Sequence, residues 1–346
     1  MLTLPTYVTR ERLAAAMDTS PSRSRLRQLD DACNTGSRSV EALCRRTFWP
    51  EVTTHAYDRP APGETPASYT LWLDPFQLAE APAAVSSGGV SLDLLDVLPG
   101  PEEGPPFDRL DLDLSTSAAW SAGSTWQRGT RITGTFGYRL DTAALGVTAE
   151  ALDGTETLVD VDGATAAAAG VGDLLAVGSE RMLVTDRAWL DTTEDITLTG
   201  SVSADSFTAA GTYAQGEWLL LGSEVLRVVE QAGTTVVVER AVDGSTLGDH
   251  TAASLYASRT LAVLRGYGGT SAATHLTAAA VVRHAYPAEV EELALAEALV
   301  AYSQQLGAYA RPQGSGASST PVASGTLEDA RARCRAAHGR YRDAAV

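Results

Sequence analysis

The stretch Arg128-GTRITGTFG-Tyr138 decides the fold. Ile132, Gly134 and Phe136 alternate with Thr133 and Thr135, the two-residue period of a strand with unlike faces. Gly134 and Gly137 thin the strand near its end, where a bulge or a sharp exit costs little. After Tyr138 the texture is all-β until an amphipathic helix opens at Pro287. Without that region Tyr138 would lead almost directly into the helix, and the two ends of the chain would close one compact domain. The chain therefore reads as a small host with a large guest.

The expected fold is α+β. A helical and antiparallel-sheet host spans 1–138 plus 287–312, and an inserted all-β domain, barrel-like and internally repeated, spans 139–286. A flexible Ser/Gly/Ala/Pro-rich linker at 313–325 and a C-terminal helical tail at 326–346 complete it.

Outward from the host strand, Thr9 is placed to cap a helix from Arg10 to Met17. A long helix from Ser22 to Thr47 follows, striped by Leu26, Leu29, Cys33, Gly36, Val40 and Leu43. Gly36 costs that helix about 1 kcal/mol relative to alanine, which predicts a close approach or a bend. Phe48-Trp49-Pro50 ends it. Thr53–Tyr57, Tyr69–Leu73, Leu92–Leu98 and Leu110–Leu114 carry strand alternation. At the other end, Val290, Leu293, Ala298, Leu299, Tyr302 and Leu306 give the Pro287 helix a broad apolar face. The last segment, Leu327 to Arg342, has a thin apolar side (Leu327, Ala330, Cys334, Ala337, Tyr341) crowded by Arg331, Arg333, Arg335, Arg340 and Arg342. Such a helix is marginal alone and is expected to order against a partner.

The guest contains repeats. Leu175, Gly178, Ser179 and Glu180 return forty-four positions later as Leu219, Gly222, Ser223 and Glu224, each set reading strand, tight turn, strand. Arg240, Gly244 and His250 return at an offset of twenty-five as Arg265, Gly269 and His275. Unequal offsets exclude a simple tandem array. One copy of the second motif follows its hairpin directly and the other arrives late, which predicts a pseudo-twofold barrel whose halves exchange strands.

Composition limits the function. At 346 residues the chain has room for two or three domains. It shows no long apolar run and no basic-then-apolar leader, which predicts neither a membrane span nor secretion. Cys33, Cys44 and Cys334 lie far apart and make no metal spacing, and Cys33 and Cys44, eleven apart in a helical pattern, read as small core fillers, fitting an intracellular compartment. The formal charge is −17 and every basic residue is arginine. Residues 61–286 hold eleven arginines against twenty-nine acids, while the two ends are nearly balanced. So acidic a chain offers no basic stripe for gripping nucleic acid, though it can surround a duplex without holding it.

Catalytic patterns are missing from the sequence. There is no GxSxG, no HExxH and no GxGxxG opening a helix, and a phosphate loop needs a lysine that the chain lacks. Asp111 with Asp113, and Asp160 with Asp162, read as solvated strand faces. His250 and His275 end Gly-rich turns, and their repetition marks them as structural, each expected to tether its turn through loop backbone. No catalytic, cofactor or metal residue is expected.

Tyr7-VTRERLAAAM, the helix ending in Arg45-RTFWPE, the strand Thr133-GTFGY and the Pro287-led helix, in that order, resemble the head–tail connector (adaptor) family of long-tailed bacteriophages over about 5–138 and 287–310. Trp49, Gly134 and Gly137 carry the structural part of the likeness. The resemblance implies a non-enzymatic virion protein of the neck, present in the host cytoplasm during assembly. It implies a homo-dodecameric ring docked under the portal protein, meeting a stopper or tail-completion protein, with double-stranded DNA passing through the lumen. It also implies that the C-terminal segment engages the portal, here through Leu327, Arg331, Arg335, Arg340 and Tyr341. An accessory tail or capsid-decorating protein acting through the β domain is the alternative, and a histidine-dependent hydrolase comes third.

Overall fold

The computed structural model describes residues 2–17, 25–60, 69–121, 123, 125, 127–201, 203–306 and 324–340. Contacts divide the chain into two compact units. One comprises Met1–Leu43, Thr142–Tyr267 and Ser271–His338, and the other Cys44–Asp141, Gly268–Thr270 and Gly339–Val346. By contact the N-terminal helices therefore group with the large sheet, whereas the sequence reading joined them to the segment up to 138. The expected linker at 313–325 lies largely outside the described residues, as does Tyr341.

Among the described residues the smaller unit holds seven strands: β1 (Glu51–Tyr57), β2 (Thr70–Trp72), β3 (Ala84–Ser87), β4 (Val90–Ser91), β5 (Val97–Gly100), β6 (Arg109–Leu112) and β7 (Thr130–Phe136). They form two antiparallel sheets, ordered β1-β7-β3-β4 and β2-β6-β5. The deciding stretch is β7, and it runs from Glu51↔Phe136 to Tyr57↔Thr130 against β1 without a bulge. Gly134 serves packing instead, because a Cβ there would lie 3.0 Å from Leu78 Cδ2. Gly137 is the sharp exit, with φ +149° and room for only a bare α-carbon against the Trp49 carbonyl. Leu71, Leu78, Val85, Leu110, Ile132 and Phe136 make the core of this unit.

In the larger unit α1 (Arg10–Ala16) starts as expected, with Thr9 Oγ1 accepting from Arg12 N–H at 3.2 Å. The long helix is α2 (Leu26–Cys44). Its sheet contains β8 (Thr142–Val147), β9 (Leu158–Asp160), β10 (Leu174–Val177), β11 (Glu180–Leu198), β12 (Ser206–Thr208), β13 (Trp218–Leu221), β14 (Glu224–Ala232), β15 (Thr235–Val242), β16 (His250–Leu264) and β17 (Ala280–His284). A short helix, α3 (Gly163–Ala168), interrupts it, capped by Asp162. Asp162, expected on a solvated strand face, instead caps this helix, its side chain accepting from Thr165 N–H at 2.9 Å.

The barrel expectation is corrected. The ladder runs as an open path, β12-β15-β14-β13-β16-β11-β10-β17-β8, with β9 on β16, and its ends β12 and β8 do not pair. The cause lies in β11 and β16, of 19 and 15 residues, which pair from Leu183↔Leu264 to Leu198↔His250 and run through both repeats. Both copies therefore share one continuous antiparallel sheet. Register shifts along β11 and β16 bend the ribbon without closing it.

The repeats are real, and each has its own core. Leu175, Val177, Met182 and Val184 enter one cluster with Val159, Leu261 and Val281. Their counterparts Leu219, Leu221, Leu226 and Val228 enter a separate cluster with Phe207, Val236 and Leu255. Leu2 joins the first cluster, and the N–H groups of Thr6 and Arg10 donate to the carbonyls of Gly172 and Val171.

Two C-terminal helices complete this unit. In α4 (Ala288–Leu306), Ala294 and Ala298 lie so close to Gly36 that a Cβ there would meet the Ala294 carbonyl at 2.5 Å, so close approach explains the glycine. The last helix, α5 (Ser324–His338), is held on α4 by buried Cys334 and by Arg331 Nε–Glu297 at 2.6 Å and His338 Nε2–Glu289 at 3.2 Å. The helix expected to order against a partner thus has α4 of its own chain as a packing surface.

Candidate functional site

The two repeated histidines belong to a duplicated clamp built on a buried glutamate. In one copy the Glu180 carboxylate, closed to solvent, accepts from Arg265 Nε at 2.6 Å, Arg265 Nη2 at 2.8 Å and the backbone N–H groups of Gly266 and Ala273, both at 3.0 Å. His275 Nε2 lies 2.8 Å away. Arg265 spends its remaining donors on the carbonyls of Asp153, Glu156 and Ala273.

The second copy repeats this group by group. Glu224 accepts from Arg240 Nε at 2.7 Å, Arg240 Nη2 at 2.8 Å, Ala241 N–H at 3.0 Å and Gly248 N–H at 3.1 Å, with His250 Nε2 at 2.9 Å. Arg240 also donates to the carbonyls of Thr199, Ala204 and Gly248. Each imidazole thus binds a glutamate rather than loop backbone, which corrects the expected contact. The recurring Glu of the Gly-Ser-Glu turns was the available signal, because it repeats together with Arg and His.

In both copies the arginine, the histidine and two backbone N–H groups converge on one carboxylate, and the arginine's further donors tie down loop carbonyls. Burial pushes the Glu180 and Glu224 carboxyls up, but the hydrogen bonds from arginine, histidine and backbone outweigh it and hold each down to about 2. Among the described residues no cluster of three or more His, Cys, Asp or Glu side chains is arranged to hold a metal.

A second pair of acids is duplicated with less symmetry. Asp173 accepts from Gly170 N–H at 2.8 Å, and its counterpart Glu217 accepts from Ala214 N–H at 2.9 Å. Glu217 has a close partner, Arg259 Nε at 2.6 Å, whereas Asp173 has Arg283 at 3.8 Å. Burial dominates at Asp173, and its carboxyl is raised to about 7 despite Arg283 and the Gly170 N–H. A polar cavity of about 210 Å³ opens beside it, lined also by Glu11, Arg187, Arg283, Tyr286 and Glu291.

The copy built on Glu224, whose strands lie in sequence between Glu180 and Arg265 of the other, borders a larger groove of about 810 Å³. Its walls include Trp189, Trp218, Leu220, Val225 and, from the helices, Ala14 and Leu26.

The residues expected to meet a portal are dispersed in role. Arg331 is engaged with Glu297 and Glu328, and Leu327 is half-buried. Arg340 donates to the carbonyls of Leu73 and Pro75 and pairs with Asp74 at 3.3 Å. Arg335 is exposed, and Tyr341 falls outside the described residues. Of the residues that carry the host likeness, those of the smaller unit lie together, while residues 7–17 and the Pro287-led helix belong to the larger unit. The Phe48 and Tyr138 rings lie 5.2 Å apart, and Gly137 abuts Trp49 and Pro50.

No protein-family model, curated protein or solved structure matches the chain.

Proposed function

We propose that the chain is a structural head-to-tail adaptor, a ring-forming protein that sits under a phage portal and joins the DNA-filled capsid to a stopper or tail. Its part is mechanical: a dodecameric ring, a portal contact on one side, a tail-side contact on the other, and a lumen through which double-stranded DNA passes. The acidic balance suits a wall that does not hold the duplex.

One observation carries this reading. The arginine-aromatic-proline run and the Thr-Gly-aromatic-Gly strand, remote in sequence, are assembled against each other, with Phe48 on Tyr138, Trp49 on Gly137 and β1 on β7. The test is the mass and projection symmetry of the protein alone and with portal. A twelvefold ring is expected, and a monomer that ignores portal at micromolar concentration sinks the proposal.

The groove beside Trp189 and Trp218 favours a second reading, an accessory tail or capsid-decorating protein working through the β region. In that case Trp218→Ala weakens attachment to the particle while no ring is seen.

A further inference from the structure

Among the described residues, thirteen large hydrophobic side chains are exposed, and nine of them belong to the smaller unit. Five share one region. Trp72 and Leu98 stand on the open face of the three-stranded sheet, flanking Arg109 and Asp111 of the central strand β6. Leu94 and Leu95 lie in the turn entering β5, and Leu114 follows β6. The register of β5 on β6 continues past the strand ends, because Asp113 N–H donates to the Asp96 carbonyl at 2.9 Å, and this brings Leu95 and Leu114 to the same end of the sheet. Leu95 is 83% exposed, Leu114 74%, Trp72 60%, Leu98 49% and Leu94 42%. Leaving five large apolar side chains of one region in water is unfavourable, and groupings of this kind mark interaction sites.

The charge around the patch is one-sided. Asp93, Asp96 and Asp113 join no ion pair among the described residues. The carboxylates of Asp93 and Asp113 accept backbone N–H groups of Leu95 and Ser115, at 3.0 and 2.8 Å, which fixes them beside the leucines. The hydrogen bonds from Ser115 hold the Asp113 carboxyl below its ordinary range. Arg109, on the same sheet face, is already committed to Asp108, Asp111 and the Trp72 ring, 5.8 Å from its centroid.

We infer that this face of the smaller unit, anchored by Leu95, Leu98, Leu114 and Trp72 and rimmed by Asp93, Asp96 and Asp113, docks a basic polypeptide segment carrying leucine-sized side chains. Apolar anchors supply the burial, an aromatic ring supplies a rigid contact, and the carboxylates select a cationic rim and speed its approach. An acidic segment is rejected by like charge. The surface stands whether or not the chain is a connector. If it is one, a segment of this chemistry belongs to a protein it joins.

The test uses the full chain and two fluorescent twelve-residue peptides, one alternating Leu with Arg and one alternating Leu with Glu, read by anisotropy at low and high salt. The Leu/Arg peptide is expected to bind at least tenfold more tightly to wild type than to L95E/L114E or to D93N/D96N/D113N, and to weaken with salt. The Leu/Glu peptide is expected not to bind. L276E, which alters an equally exposed leucine of the larger unit, should bind like wild type. Circular dichroism melts of the variants should match wild type, since only surface groups change. Equal binding by the patch variants, equal binding of both peptides, or loss in L276E alone overturns the inference. So does a concentration-dependent self-association that L95E/L114E abolishes and the Leu/Arg peptide fails to compete with, because the occupant is then a second copy.

Discussion

Arg265 holds Glu180 with two parallel hydrogen bonds across 85 residues of chain, whereas the equivalent Arg240 holds Glu224 across 16. The difference is the whole inner copy, which lies between the hairpin and the clamp of the outer one. Arg265→Met leaves the Glu180 carboxylate closed to solvent without its cation, so unfolding free energy should fall by about 3–5 kcal/mol. Removing both charges, as in Glu180→Met/Arg265→Met, should recover only part of that loss, because the Gly266 and Ala273 N–H groups and the Asp153 and Glu156 carbonyls still lose their partners. Denaturant titration of the two variants checks this, and equal losses in both would show that packing, not charge, is at stake.

Acid should act through the same two glutamates. Their folded carboxyls are lowered from an ordinary 4.5 to about 2. The stability they contribute is fully present above the unfolded value and is lost as pH falls from about 4.5 towards 2. Glu180→Gln/Glu224→Gln should therefore be less stable than wild type at neutral pH and show a flatter decline over that window. Melting temperatures between pH 7 and 2 report the slope, and parallel curves would remove the glutamates from the account.

Asp173 should give the opposite sign. Burial raises its folded carboxyl from 3.8 to about 7, so its protonated form fits the fold better and stability declines as pH rises through that range. Asp173→Asn keeps an oxygen for the Gly170 N–H and removes the charge. It should gain on wild type above pH 7 and converge with it in acid. A variant destabilised equally at pH 5 and pH 8 would show that Arg283 makes a real ion pair despite its 3.8 Å separation.

Local signals in the sequence were readable where one residue decides a local outcome. Thr9 as a cap, Gly36 as a close approach and Gly137 as a sharp exit each follow from a single side chain or its absence. Glu180 with Arg265 was not readable, because a pairing between residues so far apart depends on which copy is nested in which. The open sheet was missed for a similar reason. Periodicity marks β11 and β16 as strands but does not show that each runs on through both repeats. The N-terminal segment teaches the same lesson: excising 139–286 would strip Leu2 of its core and the N–H groups of Thr6 and Arg10 of their acceptors.

Nesting predicts a tolerated excision. Leu190 pairs directly with Ala257, so Asp191–Tyr256 can be replaced by an Asn-Gly turn without changing the register of the outer ribbon. No residue of the outer core lies in the deleted segment, and the Glu180–Arg265–His275 clamp is untouched. The shortened chain should melt cooperatively, with a smaller enthalpy in proportion to its length. Loss of a cooperative transition would mean that the two cores depend on each other.

The C-terminal helix separates a structural role from a docking role. Truncation after Gly325 removes Cys334 and the pairs Arg331–Glu297 and His338–Glu289, so it should lower the melting temperature and also weaken any attachment to portal. That result alone cannot distinguish docking from damage. Arg340→Ala belongs with the structural group, because its guanidinium serves the carbonyls of Leu73 and Pro75, and it should cost about 1–3 kcal/mol. Arg335 is different: it is exposed and joins no ion pair among the described residues. Arg335→Glu should therefore leave the melt unchanged and reduce portal co-sedimentation, most visibly at low salt, where an exposed charge acts over the longest range. Wild-type binding by Arg335→Glu at low salt would move the portal contact away from this helix, and the next surface to alter would be the end of α2, where Arg45 is exposed beside Phe48 and Trp49.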